Sequence, residues 1–134
     1  FWDPHCGHCK KELPGIAKVY KEKMKALDIE VYCVAKAVDA TLMKDWKAFI
    51  RENDLDWVNV GLTEHVFEEA KKDPRKFIPR FTTIESLNYA ETYDVYSTPK
   101  IFLVDGERKF RGKQLSADQI VDLVGQLRKR KTDQ

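Results

Sequence analysis

Three absences limit what this chain of 134 residues can be. Its longest apolar runs, residues 31–35 and 101–104, fall far short of the ~20 residues that a membrane-spanning helix needs. It has only three cysteines, too few for a disulfide scaffold, and a chain of this size buries roughly two-thirds of its unfolded surface without such staples. It also lacks a charge excess, because 24 basic and 22 acidic side chains leave a net charge of +2, which argues against a nucleic-acid binder.

Helical and strand patterns alternate along the chain, which predicts a single α/β domain over residues 1–134. Apolar side chains at three- and four-residue steps predict helices at residues 7–25, 41–53, 63–72 and 87–93. Short apolar runs predict strands at residues 29–35, 57–60 and 100–104. Asp105-Gly106 then predicts a hairpin into another strand near residues 108–111.

Capping residues mark one of these helices and a further helix that closes the chain. Ser116 and Gln119 form a capping box for a closing helix, and either Asp39 or Thr41 can cap the helix at residues 41–53. Residues 62–90 contain two prolines that interrupt any long helix, so we expect an irregular connection there.

Two of the three cysteines fall within the first nine residues, in the stretch Trp2-Asp3-Pro4-His5-Cys6-Gly7-His8-Cys9. Cysteines separated by two residues at a helix start have sulfurs within disulfide reach, and the first sulfur faces free backbone N–H groups. Those groups and the helix dipole favour an anion, so we expect a depressed pKa for Cys6. The thiolate is the attacking species in disulfide exchange, and Cys9, one turn further in, would resolve the mixed disulfide.

Neighbouring residues should tune the cysteine pair. A protonated His8 near Cys6 would stabilise the thiolate and make the couple more oxidising. Gly7 has no side chain to block an incoming substrate, and we expect Trp2 to cover the motif.

Other uses of the cysteines are weaker. A structural zinc site needs a second close pair of ligands, and the remaining Cys33 and histidines offer no such spacing. A covalent haem site needs a histidine directly after the second cysteine, where the chain has Lys10. A purely structural disulfide would close only a two-residue loop. We expect Cys33 to be a small core residue and His65 to be solvated.

The residues around these cysteines resemble a known family. The opening Phe-Trp-Asp-Pro-x-Cys-Gly-x-Cys-Lys resembles that of the TlpA/ResA-like thiol–disulfide oxidoreductases of bacterial envelopes, which have the thioredoxin fold. Pro14 matches the proline that kinks their first helix. The run Tyr-Asp-Val-Tyr-Ser-Thr-Pro at residues 93–99 resembles the family's cis-proline entering a strand.

The resemblance implies a thioredoxin-like three-layer α/β/α fold with a mixed central sheet. A cis Pro99 would lie against the cysteine pair, and the Thr98 backbone would hydrogen-bond an extended substrate peptide. No cofactor is implied, because the Cys6–Cys9 disulfide carries the electrons. The partners would be cysteine-containing protein substrates and an upstream redox protein, with no nucleic acid. The family's location is the bacterial envelope, here the periplasm, with membrane contact only through an anchor outside this chain.

Three departures from the family leave its details open. The Cys-Gly-His-Cys tetrad is that of protein disulfide isomerases, so the direction of electron flow is undetermined. Some relatives place a glutamate after the strand at residues 29–35, and here only Asp39 is a weak candidate for that role. The connection at residues 62–90 is longer than usual, and we expect it to elaborate the surface rather than recognise partners.

The motif's position near the start of the chain leaves only residues 1–3 for the central strand of a thioredoxin sheet. We expect the strands at residues 29–35 and 100–104 to flank them, and further residues, with any signal or lipid anchor, to precede Phe1. The leading hypothesis is exchange of a Cys6–Cys9 dithiol and disulfide with partner cysteines. The rivals are a module that handles copper or zinc and a redox-inert adaptor that binds extended peptides.

Overall fold

The first helix starts inside the cysteine motif. The computed structural model describes residues 1–36 and 38–133, and helix α1 (Gly7–Val19) continues through a π-helical turn (Tyr20–Met24) and a 3₁₀ turn (Lys25–Leu27). Its buried side chains recur at three- and four-residue steps, as the amphipathic pattern predicts: Cys9, Leu13, Ala17, Tyr20 and Met24. This buried stripe anchors the helix in the hydrophobic core, where each such large side chain contributes roughly 1.5–3 kcal/mol.

Four strands form two pairs. Strands β1 (Tyr32–Ala35) and β2 (Val58–Gly61) are parallel, whereas β3 (Phe102–Val104) and β4 (Phe110–Lys113) are antiparallel with an irregularity after Leu103.

Residues 1–3 lie between the two pairs. Trp2 forms a parallel bridge with Ala35, and its N–H donates to the Val34 carbonyl over 3.0 Å. On the other side Phe1 and Lys100 exchange both backbone hydrogen bonds, at 2.9 and 3.0 Å, which is the pattern of an antiparallel pair. The expectation that the strands at residues 29–35 and 100–104 flank residues 1–3 is therefore confirmed.

Three strands start two or three residues later than the sequence predicts, and for two of them the preceding turn is the reason. The strand predicted at residues 29–35 begins at Tyr32, since Asp28 adopts a left-handed conformation (φ 53°) and Ile29 N–H closes the helix end on the Met24 carbonyl. The hairpin strand predicted near residues 108–111 begins at Phe110.

The Asp105 turn explains this second shift. One carboxylate oxygen of Asp105 accepts the backbone N–H groups of Glu107 and Lys109, each at 2.9 Å. Arg108 takes a left-handed conformation (φ 64°) within this turn. The loop is consequently longer than the two residues that Asp105-Gly106 predicts, and the first hairpin strand also starts late, at Phe102 rather than Lys100.

The other helices surround the strand pairs. Helix α2 (Ala40–Glu52) confirms the prediction for residues 41–53, and Asp39, rather than Thr41, caps it by accepting the Leu42 N–H over 2.8 Å. Helix α3 (Glu64–Lys72) confirms the prediction for residues 63–72. The remaining α-helices of the described residues are α4 (Ile84–Leu87), α5 (Tyr89–Thr92) and α6 (Ala117–Thr132), and a 3₁₀ turn (Pro74–Lys76) follows α3.

The single helix predicted at residues 87–93 is wrong. The chain forms two short helices instead, because Thr83 caps α4 early and Asn88 leaves helical geometry between α4 and α5. The capping box of Ser116 and Gln119 is confirmed at α6, which contacts α1.

Aromatic stacking joins the long connection to the strands. The Phe1 ring stacks on Tyr89 at 5.3 Å and on Tyr93 at 5.9 Å, and it meets Phe102 of β3 edge-on at 5.9 Å. This contact holds α5 beside residues 1–3, close to the cysteine motif. Within the described residues, no helix combines the length and apolar character that crossing a membrane requires.

Candidate active site

A tight turn carries the chain from residues 1–3 into α1. The Asp3 carbonyl accepts the Cys6 N–H over 2.9 Å, and the Asp3 carboxylate accepts the His5 N–H over 2.8 Å. These two bonds bring the chain into α1 with Cys6 as its N-cap residue, in extended geometry (φ −76°, ψ 118°). The cysteine therefore occupies the position at which a side chain can accept hydrogen bonds from the first helical turn.

The Cys6 sulfur has two close polar neighbours. It accepts the backbone N–H of Cys9 over 3.2 Å, and its thiol donates to the Thr98 carbonyl over 3.3 Å. Burial raises the pKa of Cys6, but hydrogen bonds from the side chains of Cys9 and Thr98 and from the backbone N–H groups of Cys9 and His8 outweigh it. The net pKa is lowered from the usual range, in the direction that the sequence predicts.

Cys9 has the opposite character. Its side chain is fully buried, one turn into α1. Burial raises the pKa of Cys9 to about 11, and the neighbouring Cys6 sulfur adds to the rise. Both thiols are free in this structure. The pair therefore consists of one partly exposed, acidic thiol and one buried thiol that holds its proton.

The Thr98–Pro99 segment completes the site from the far end of the sequence. The peptide bond between these residues is cis, as the resemblance implies. The Thr98 carbonyl lies against Cys6 although 92 positions separate the two residues. The sequence expectation that this segment lies beside the cysteine pair agrees with the geometry.

Gly7 and His8 lie on the open side of the site. A Cβ atom added at Gly7 would meet nothing within 4 Å, so the space above the first helical turn is free. His8 is exposed, and no hydrogen bond joins its ring to either sulfur among the described residues. The influence of His8 on Cys6 comes through its backbone N–H, whereas the sequence prediction assigned it to the imidazole.

The expectation for Trp2 needs a correction. Trp2 is only 2% exposed and belongs to the hydrophobic core, where its ring packs on Phe49 of α2 at 5.2 Å. Its indole N–H has no hydrogen-bond partner among the described residues. Trp2 therefore packs in the core beneath the motif and does not cover its outer surface, because its position beside β1 directs the ring into the core.

Sequence reasoning missed one hydrogen bond at the site. The imidazole of His5, directly before Cys6, lies 2.8 Å from the carboxylate of Asp45 on α2. Both side chains remain about half exposed, at 50% and 45%. The pair connects the motif to α2, and no local pattern could have indicated it because 40 positions separate the residues.

The other candidate residues lie elsewhere. Cys33 is a core residue, 7% exposed, and burial raises its pKa to about 11. The His65 side chain is 81% exposed, beside Glu69. Trp57 is buried and Trp46 is partly buried against the core. Asp39 caps α2, which gives this carboxylate a structural partner.

A metal site has little support in these side chains. No group of three or more histidine, cysteine, aspartate or glutamate residues within ranges 1–36 and 38–133 is placed to hold an ion.

Comparison with known proteins gives a likeness among solved structures. No protein-family model and no curated protein matches the chain. Among solved structures, the chain is similar to the thioredoxin domain of a thiol-disulfide oxidoreductase from Bacteroides vulgatus, with 26% identity and a TM-score of 0.66. The match covers 95% of this chain and 74% of the other.

This likeness confirms the predicted thioredoxin-like α/β fold and supports a thiol–disulfide redox function. It does not distinguish the TlpA/ResA group from other thioredoxin-fold oxidoreductases, nor does it bear on the Cys-Gly-His-Cys tetrad. Those finer statements depend on the site itself.

Proposed function

We propose that the chain is a thiol–disulfide oxidoreductase that exchanges a Cys6–Cys9 dithiol or disulfide with cysteines of partner proteins. The observation that carries the proposal is the Cys6 sulfur at the N-cap of α1. It lies 3.2 Å from the Cys9 N–H and 3.3 Å from the Thr98 carbonyl. This position combines a stabilised thiolate, a resolving thiol one turn away and a backbone segment open to an extended peptide.

Reduction of a partner disulfide proceeds in two balanced steps. The Cys6 thiolate attacks one partner sulfur, so that a mixed disulfide forms and the other partner sulfur leaves as a thiolate. Cys9 then loses its proton and attacks Cys6, which releases the second partner sulfur. The protein becomes a Cys6–Cys9 disulfide as the partner gains two electrons and, with two protons, ends as two thiols. Oxidation of a partner is the same sequence in reverse.

The raised pKa of Cys9 gives the two steps an order. Cys9 stays protonated while Cys6 attacks, and its thiol hydrogen bond to Cys6 stabilises the attacking thiolate. Once Cys6 enters the mixed disulfide, its negative charge disappears, and one of the influences that raise the Cys9 pKa disappears with it. Deprotonation of Cys9 thus becomes easier at the moment when it must attack.

The finer identity follows from the resemblance. We propose a TlpA/ResA-like protein that works in the bacterial envelope, in the periplasm, with no cofactor beyond its own disulfide. Its partners would be cysteine-containing proteins and an upstream protein that resupplies the dithiol or the disulfide. The direction of electron flow would follow from the reduction potential, near −270 mV for a reductase or about −180 to −120 mV for an oxidase or isomerase. We propose the more oxidising half of this range, because the hydrogen bonds that lower the pKa of Cys6 stabilise the reduced form of the couple.

Reduction of insulin in the presence of dithiothreitol tests the proposal. The dithiol protein should accelerate insulin precipitation, Cys6→Ser should abolish the acceleration, and the matched control Cys33→Ser should retain it. Absence of turnover, together with tight stoichiometric binding of copper or zinc, would overturn the redox proposal in favour of metal handling.

A further inference from the structure

A cavity opens beside Pro99. Its volume is about 430 Å³, and the residues that line it come from α1, the cis-proline segment, the loop before α6 and the first turn of α6. They include the polar Glu12, Lys100 and Gln114 and the apolar Pro99, Ile101 and Leu115. This volume lies within the roughly 300–1,000 Å³ of typical ligand pockets. The cavity lies outside the contacts that hold the two cysteines.

The cavity adjoins the reacting sulfur. Pro99 lines it, and the residue before Pro99 offers its carbonyl to Cys6 over 3.3 Å. An extended peptide advances about 3.3 Å per residue. A peptide whose cysteine meets Cys6 and whose backbone runs along Thr98 would therefore place a side chain in the cavity within one or two residues of that cysteine.

The polar groups on the wall are free to bind. Within the described residues, the side chains of Glu12, Ser97, Lys100 and Gln114 form no hydrogen bond or ion pair with one another or with the rest of the chain. Gln119 uses its side-chain oxygen in the capping box and leaves its amide donors free. The wall thus offers both donors and acceptors to an incoming side chain.

The charged residues that line the cavity favour an uncharged substrate side chain. Glu12 supplies one negative and Lys100 one positive group, so a charged guest side chain gains from one and is opposed by the other. An amide side chain both donates and accepts, so it gains from both groups, and its methylene groups can contact the apolar Ile101 and Leu115. A purely apolar side chain makes only that contact and displaces water from the polar groups without replacing its hydrogen bonds.

We infer that this cavity selects partner proteins in which the reacting cysteine is flanked by an uncharged polar side chain, glutamine or asparagine above all. The inference rests on the proposed function and adds a substrate class to it. Gln114, Lys100 and Glu12 are the residues that would set this preference.

Kinetics with paired peptides test the inference. Two disulfide-linked peptides should differ only in the two residues on each side of cysteine, glutamine in one and the nearly isosteric methionine in the other. We expect kcat/KM to be about fivefold higher for the glutamine peptide, the size expected of one or two net hydrogen bonds. Gln114→Met and Lys100→Met should each reduce this ratio to within about twofold. Because the ratio compares two substrates on one preparation, partial misfolding of a variant does not affect it.

The outcomes separate this inference from the proposed function. Lys18→Met, on the exposed surface of α1, is the matched control and should retain the fivefold ratio. A ratio near one in the unmodified protein, or a ratio that persists in both cavity variants, would overturn the inference while bis(2-hydroxyethyl) disulfide is still reduced. If neither peptide nor that small disulfide reacts, the proposed function itself is overturned.

Discussion

Cys6 and Cys33 carry the same side chain in opposite surroundings. Cys6 is at the N-cap of α1, partly exposed, where N–H groups reach its sulfur and its pKa is lowered. Cys33 lies in β1, 7% exposed, where burial raises its pKa to about 11. The comparison teaches that the pKa of a thiol in this protein depends both on its burial and on the hydrogen-bond donors that reach its sulfur. Cys9 shares features of both: it belongs to the same motif as Cys6, but it is buried and has a raised pKa like Cys33.

Replacement of Cys9, the buried cysteine of the motif, should have the largest effect, which is on turnover. Cys9→Ser retains the acidic attacking thiol but removes the group that releases the partner. Turnover should fall to the uncatalysed background, while a mixed disulfide through Cys6 accumulates and is detected by intact-protein mass spectrometry. Cys33→Ser should accumulate no such adduct. Adduct formation through Cys33 would contradict the separation of the two regions.

Alkylation rates measure the same contrast directly. At pH 7 a thiol with a pKa of about 11 is about 10⁻⁴ thiolate, whereas one below the usual value of 9 exceeds about 10⁻². Iodoacetamide should therefore modify Cys6 at least about a hundredfold faster than Cys33, as followed by peptide mapping. The pH–rate profile of Cys6 should have its midpoint below 9. Equal rates at the two sites would remove the basis of the comparison.

The free energy of unfolding should fall at alkaline pH because Cys9 and Cys33 are buried as neutral thiols. The folded-state pKa values of Cys9 and Cys33 are raised from 9.0 to about 11, so the stability that they contribute is fully present below pH 9 and is lost as pH rises towards 11. Each thiol can lower the free energy of unfolding by up to about 1.4 kcal/mol per pH unit in this window.

Urea titrations of the reduced protein at several pH values measure that slope. Cys33→Ala should have a shallower decline between pH 9 and 11 than the unmodified protein, whatever its stability at neutral pH. The same comparison with Lys18→Met controls for surface charge. An unchanged slope in Cys33→Ala would show that Cys33 ionises as readily in the folded chain as in the unfolded one.

The smallest expected effect concerns Cys6 as a helix cap. Its sulfur accepts the Cys9 N–H, a role that a serine hydroxyl can also fill but an alanine cannot. Reduced Cys6→Ala should thus be about 1 kcal/mol less stable than Cys6→Ser in urea denaturation. Equal stabilities would mean that the hydrogen bond tunes the sulfur without stabilising the helix.

Local patterns predicted much of the fold. The amphipathic stripe of α1 and the capping box of α6 were confirmed because their signals act over three or four residues. The starts of β1 and β4 were predicted too early, because the turns at Asp28 and Asp105 depend on left-handed residues that hydropathy does not reveal. Residues 84–92 form two helices for a similar local reason, a break at Asn88.

In the candidate site, too, local features could be predicted from the sequence and long-range contacts could not. The spacing of Cys6 and Cys9 was enough to predict an acidic thiol at a helix start. The burial of Trp2 and the His5–Asp45 pair could not be predicted, because each depends on α2, more than thirty positions away along the chain.

By itself, the sequence determined that two cysteines lie at the start of an amphipathic helix, since that geometry needs only the helical period and the local backbone. The tertiary structure decided what surrounds them. It brought the Thr98 carbonyl to Cys6 across 92 positions, buried Cys9 and placed a polar cavity beside Pro99. The physical reason is that a thiol's pKa and its access to a partner depend on solvent exclusion and on dipoles from distant segments, which only packing brings together.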